Sequence, residues 1–192
     1  MKLRRAALGF RVKSGWAAAV IVEGSTAARL CANEVINLSD PHQPETQQPY
    51  HASTGKLETN ETKLKRRAEI VRRATEKSIV DLVKRCSDNG YAIRRAALVV
   101  GSVIDPDLIA NPHIRAHALE GRLFRMTLET ELQACGIRCA VFRERDIYAA
   151  AAKSLGQSPT QIKRALTDLG HSAGGPWRAE QKLAALAAWL LL

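Results

Sequence analysis

Two apolar, β-branched runs flank Lys13-Ser14-Gly15 within residues 8–22, LGFRVKSGWAAAVIV, and this pattern predicts a hairpin with both arms largely buried. Glu23-Gly24-Ser25 supplies a turn. Residues 29–38 then alternate weakly, with Leu30, Ala32, Ile36 and Leu38 on one side, as expected of a third and more exposed strand. From 39 to 60 the chain turns polar and carries Pro41, Pro44 and Pro49, a long loop of the kind that is either functional or mobile. Gln47-Gln48-Pro49-Tyr50-His51 is its part best suited to drape over a site.

Leu64, Ala68, Val71, Ile79, Leu82 and Cys86 recur at helical spacing, and Asn89-Gly90 is a left-handed stop, so a long amphipathic helix is expected here. Residues 96–103, AALVVGSV, are apolar without alternation, which predicts a central strand covered on both faces. Gly101-Ser102 falls at or near its carboxyl end, where open α/β sheets bind ligands. Asn111-Pro112 starts a helix running to about Ala134 and stopping at Gly136. Gly121 inside it costs about 1 kcal/mol relative to alanine, which predicts close packing against another backbone. Residues 137–142 read as a strand, and Ser158-Pro159-Thr160-Gln161 is a capping box opening a helix that ends near Gly170. Gly174-Gly175-Pro176 is a hinge-like loop before a last helix from Trp177 onward. The chain shows no internal repeat.

Composition adds a class and a partner preference. The 192 residues, 46% hydrophobic and 25% charged, suit one soluble domain with a substantial core. An excess of 29 Lys+Arg over 19 Asp+Glu favours polyanionic partners. Nine Lys or Arg lie between Lys63 and Arg85 against Glu69, Glu76 and Asp81; the run is a solvated face or a surface following a phosphate backbone. The four cysteines show no CxxC pair, and they read as free thiols in a reducing cytoplasm. The basic, then apolar, start is broken by Arg11 and Lys13, which argues against an export signal. The apolar run 183–192 is short of the roughly 20 residues that span a bilayer.

The order is three strands, helix, strand, helix, strand, then helices. This plan resembles the ribonuclease H-like superfamily, an α/β fold with a mixed sheet and helices on both faces, and within it the RuvC-type Holliday junction resolvases. Leu8-Gly9-Phe10 followed by Ser14-Gly15-Trp16-Ala17 resembles the first hairpin. Residues 111–124, NPHIRAHALEGRLF, resemble the helix after the fourth strand. Residues 137–192 resemble the closing part, with Ile162-Lys163, a glycine-rich loop and Arg178-Ala179-Glu180-Gln181-Lys182. The resemblance implies acidic residues at the first strand, the end of the fourth strand and the last helix, because two magnesium ions need carboxylate oxygens to clamp a phosphoryl displacement. Here those places match Arg11 with Lys13 nearby, Gly101-Ser102 with Asp105 beyond, and Arg178 with Glu180.

Two constellations carry candidate chemistry. Arg11, Lys13, Ser102, Lys163 and Arg178 are the candidate phosphate or nucleic-acid contacts, since a site that trades acids for bases attracts phosphate; alternatively Arg11 and its neighbours pair with Glu144 and Asp146. His113, His117 and Glu120 share one helix side at spacings of four and three, as a metal or proton site requires, although H-I-R-A-H lacks the glutamate of a zinc-protease motif. Asp105, Glu120 and Glu180 are the candidate catalytic acids. No Walker loop, nucleophile elbow or Gly-x-Gly-x-x-Gly pattern is present. The leading expectation is a catalytically degenerate RuvC-like domain, without a cofactor, that binds nucleic acid or another phosphorylated partner. The alternative is a divergent nuclease using magnesium or manganese at a relocated site built from Asp105, His113, His117, Glu120 and Glu180. A third is a structural protein dimerising through an apolar helix face.

Overall fold

The structure, a computed structural model, describes residues 3–24, 28–52 and 55–192, so Ser25 of the expected turn lies outside the described residues. Arg4–Lys13 (β1) and Trp16–Glu23 (β2) form the predicted antiparallel hairpin, with Lys13 opposite Trp16 across Ser14-Gly15. Gly15 has φ of 80°, which a side chain would strain. Arg29–Asn37 (β3) pairs antiparallel with β2 and is only partly covered, as its weak alternation predicts.

Glu61–Asp88 (α1) then returns the chain to the sheet, and Tyr91–Val100 (β4) pairs parallel to β1. Pro112–Ala134 (α2) leads to Arg138–Arg143 (β5), parallel to β4. Ile147–Leu155 (α3), Pro159–Gly170 (α4) and Ala179–Trp189 (α5) complete the chain. The strand order is β3-β2-β1-β4-β5. One face buries Leu8, Phe10 and Leu98 against Ile79 and Leu82 of α1 and Phe124 and Leu128 of α2. The other buries Val20, Ala97 and Val99 against Ile147, Ile162 and Leu186 of the last three helices. Among the described residues no helix is long and apolar enough to cross a membrane.

Two expectations shift, and one helix stands where none was predicted. β4 begins at Tyr91 rather than 96 and ends at Val100, before Gly101-Ser102. Parallel pairing of Arg4 with Tyr91 and Arg5 with Ala92 carries the strand through polar positions that hydropathy does not mark. α3 escapes the pattern because no side chain caps its start at Asp146. The second shift is Gly121: a Cβ there would meet nothing within 4 Å, so no backbone crowds it.

The close approach belongs to Gly9. A Cβ on this β1 glycine would overlap the Ala184 carbonyl of α5 and fall 2.8 Å from the Ala188 amide nitrogen. The small, fully buried residues Ala184, Ala185, Ala187 and Ala188 let this helix lie flush on the sheet. All four cysteines are free, and burial pushes the Cys86 and Cys139 thiols up to about 11. Few thiolates therefore exist near neutral pH, as inert packing residues require.

Gly9→Ala is expected to cost about 3 kcal/mol or to prevent folding, whereas Gly121→Ala is expected to gain up to about 1 kcal/mol. Urea denaturation measures both, and equal effects would contradict this packing.

Candidate functional site

The long polar loop is held by its own hydrogen bonds. Asp40 N–H donates to Thr46 Oγ1 at 3.1 Å, Glu58 N–H to the Tyr50 carbonyl at 2.9 Å, and Ala52 N–H to Lys56 at 2.7 Å. His51 and Leu57 form an isolated antiparallel bridge. Arg67 of α1 pins this turn by donating to the carbonyls of Pro49 (2.9 Å) and His51 (3.2 Å), and its guanidinium lies 3.6 Å from Glu58. The expected drape is therefore a built structure, and it sets His51 against α2.

α2 supplies the rest of this cluster. The Asn111 side chain accepts from the amides of His113 (3.0 Å) and Ile114 (3.1 Å), so helical spacing puts His113, His117 and Glu120 on one side. Glu120 is fully buried. Its Oε1 accepts from Tyr50 N–H at 3.2 Å and from His51 Nδ1 at 2.7 Å; its Oε2 lies 3.5 Å from His117 Nδ1 and has no hydrogen-bond partner. His113 Nδ1 donates to the Gly55 carbonyl at 3.0 Å. His51 Nε2 is 3.3 Å from His113 Nδ1, and His117 Nε2 is 3.3 Å from His113 Nε2. One nitrogen from each of the three rings lies within 4.8 Å of the others.

Sequence spacing identifies His113, His117 and Glu120 but not His51, which is 62 residues from His113. The only signal for it is its place in the loop segment suited to cover a site. Asp105 and Glu180, offered with these residues as acids, lie elsewhere. Asp105 accepts from Asp107 N–H at 3.1 Å and sits 3.7 Å from Arg122. Glu180 lies on α5, 3.8 Å from Lys13.

At the carboxyl ends of β1 and β4 lies a cavity of about 230 Å³ whose lining includes Arg11, Lys13, Ser102, His117, Gly121 and Phe124. Arg11 is almost wholly buried. It donates to the carbonyls of Val12 (2.7 Å) and Val99 (3.4 Å) and forms an ion pair with Glu144, leaving Nε without a partner. The expected Arg11–Glu144 pairing is thus present, while Asp146 pairs with Arg143. Arg11, Lys13 and Ser102 share this pocket, but Lys163 and Arg178 do not line it. Lys163 projects from α4 over the Tyr148 ring of α3 at 5.6 Å, and Arg178 is exposed ahead of α5.

None of the residues lining the cavity is aspartate or glutamate, and the nearby Glu144 and Glu180 face Arg11 and Lys13. Magnesium takes oxygen ligands in octahedral array, and a buried guanidinium repels it. These residues do not fit the magnesium pair that the RuvC resemblance implies.

No protein-family model matches the chain, and no curated protein matches it in sequence. Solved structures do match. The RuvC structure from Thermus thermophilus aligns at a TM-score of 0.57 and 11% identity, covering 96% of this chain and 92% of that one. T. thermophilus RuvC in complex with Holliday junction substrate aligns at 0.59 and 10%, covering 97% and 92%. The fold is the ribonuclease H-like α/β fold in its RuvC form, as the order of strands and helices predicts.

Arg11→Met is expected to cost about 1–3 kcal/mol, because the buried carbonyls of Val12 and Val99 lose their donor. Denaturant unfolding measures this, and wild-type stability in the variant would show that the guanidinium does not hold the strand ends together.

Proposed function

We propose that the protein is a catalytically degenerate RuvC-like domain that binds nucleic acid through exposed cations. The fold of a junction-binding protein supports the partner class, and Arg11 at the strand ends supports the loss of magnesium chemistry there. The observation that carries the reading is where unmatched positive charge lies.

On α1 the basic run is largely answered by its own acids. Arg72 pairs with Glu69 and Glu76, Arg73 with Glu69, Lys77 with Asp81, and Lys84 with Asp88. Arg72 and Arg73 hold the Glu69 carboxyl down to about 2, as a matched surface network does. On the opposite face Lys153, Lys163, Arg164, Arg178 and Lys182 of the α3–α5 layer have no acidic partner among the described residues. Lys182 reaches only Thr167 of α4, at 3.3 Å. Arg5, Lys56, Arg66, Arg94, Arg95 and Arg138 also lack an acidic partner among the described residues, but the helical layer that holds Lys163 and Arg178 carries five such cations, and Lys13 and Ser102 border the adjoining strand ends.

A second reading, a metal-dependent nuclease with its centre moved off the strand ends, is favoured by the histidine cluster. Magnesium- or manganese-dependent cutting of branched DNA, lost in His117→Ala, would establish it in place of the degenerate reading. The third, dimerisation through an apolar helix face, is favoured by no specific observation: the large apolar residues exposed on the α-helices are Val80 of α1 and Ile114 and Met126 of α2.

Binding to four-way junction and duplex DNA, followed by fluorescence anisotropy across a salt series, tests the leading reading. Affinity is expected to fall steeply with salt, and Lys163→Ala and Arg178→Ala are each expected to reduce the slope by about 1. Lys77→Ala on α1 is expected to change it less. Absence of binding at about 50 mM salt would overturn the reading.

A further inference from the structure

We propose that His51, His113 and His117 bind one divalent transition-metal ion of the zinc class, with Glu120 as the carboxylate that orients them and a remaining coordination position open to water. Three of the chain's five histidines meet here, although one comes from a loop and two from α2. The site does not rest on nucleic-acid binding.

Each ring has its Nδ1 facing an acceptor. A carboxylate only accepts, so the 2.7 Å contact with Glu120 puts a proton of His51 on Nδ1, which in the neutral ring leaves the lone pair on Nε2. The Gly55 carbonyl does the same for His113, and Glu120 Oε2 faces His117 Nδ1 at 3.5 Å. Carboxylate and carbonyl acceptors behind the ring are the supports that metal-ligating histidines use to fix tautomer and direction.

Two of the nitrogens left over face each other, and His51 Nε2 comes to 3.3 Å from the same His113 ring at Nδ1. His113 Nε2 and His117 Nε2 are 3.3 Å apart; with the proton of each ring on Nδ1, two lone pairs meet there and repel. A tetrahedral ion with metal–nitrogen bonds near 2.0–2.1 Å separates its ligands by about 3.3–3.4 Å, so a cation between these rings converts the repulsion into two bonds.

Glu120 points the same way. It is fully buried, its Oε2 has no hydrogen-bond partner, and its ion-pair partners among the described residues are histidines rather than Lys or Arg. A buried carboxylate needs a counter-charge, and an ion held by the rings that contact it supplies one. An all-nitrogen ligand set selects zinc, copper, nickel or iron over magnesium and calcium. His113 and His117 are exposed, so an ion has a path in and keeps room for water. His117 also lines the strand-end cavity, which puts the ion in that cavity's wall.

Isothermal titration of chelator-treated protein with zinc chloride, and of the same protein with cobalt chloride in a spectrophotometer, tests the site. Wild type is expected to take up one ion per chain with micromolar or tighter affinity and to give the visible absorption of tetrahedral cobalt. His51→Ala, His113→Ala and His117→Ala are expected to weaken uptake about 100-fold or more, and Glu120→Gln about 10–100-fold. His42→Ala and His171→Ala, at exposed histidines outside the cluster, are expected to leave it unchanged. Because His117 is half exposed, its alanine variant should keep the wild-type circular dichroism and melting temperature without metal, separating lost ligation from lost folding. No uptake by wild type, or uptake that survives His117→Ala, would overturn the proposal whatever the outcome with DNA.

Discussion

The backbone of α5 rests directly on β1 at Gly9, and the strand ends depend on that contact. With only hydrogen at Gly9 and alanine at 184 and 188, helix and strand approach closer than any pair of side chains permits. This leaves β1 covered on both faces, by alanines below and by Phe124 and Leu128 of α2 above. A strand so enclosed offers few places for a charge, and Arg11 occupies one near its carboxyl end. Its guanidinium is tolerated because two backbone carbonyls and Glu144 satisfy most of its donors.

The hairpin, the long helix and the capped starts of α2 and α4 are legible in the sequence because each rests on local chemistry. Apolar runs around Lys13-Ser14-Gly15, a cap at Asn111 and a box at Ser158 through Gln161 act within a few residues. What stays hidden depends on partners far along the chain. Residues 91–95 join β4 because β1 lies beside them, and Gly121 and Gly9 exchange the roles that their surroundings suggest. The site divides in the same way. Helical spacing selects His113, His117 and Glu120, but only the tertiary path of the loop, pinned by Arg67, adds His51 and separates Asp105 and Glu180 from the group.

The chain keeps the RuvC form of the sheet and encloses charged groups in two places. At the strand ends positive charge is enclosed and answered by carboxylates. A few residues away, across the α2 face, a carboxylate is enclosed and answered by imidazoles. His117 borders both. The same frame thus presents two neighbouring environments of opposite electrostatic demand, one that excludes a small cation and one that calls for it.

The path of the loop also has a mechanical meaning. His51 and His113 are 62 positions apart in sequence, and their meeting ties the connection between β3 and α1 to the first turn of a different helix. Loop-closure entropy rises only slowly with the length enclosed, so a tie spanning so much chain costs little more to close than a much shorter one. Whatever joins these rings therefore acts as a clasp. Opening it would bring water to Glu120 and leave Arg67 and the loop's own hydrogen bonds to hold the connection.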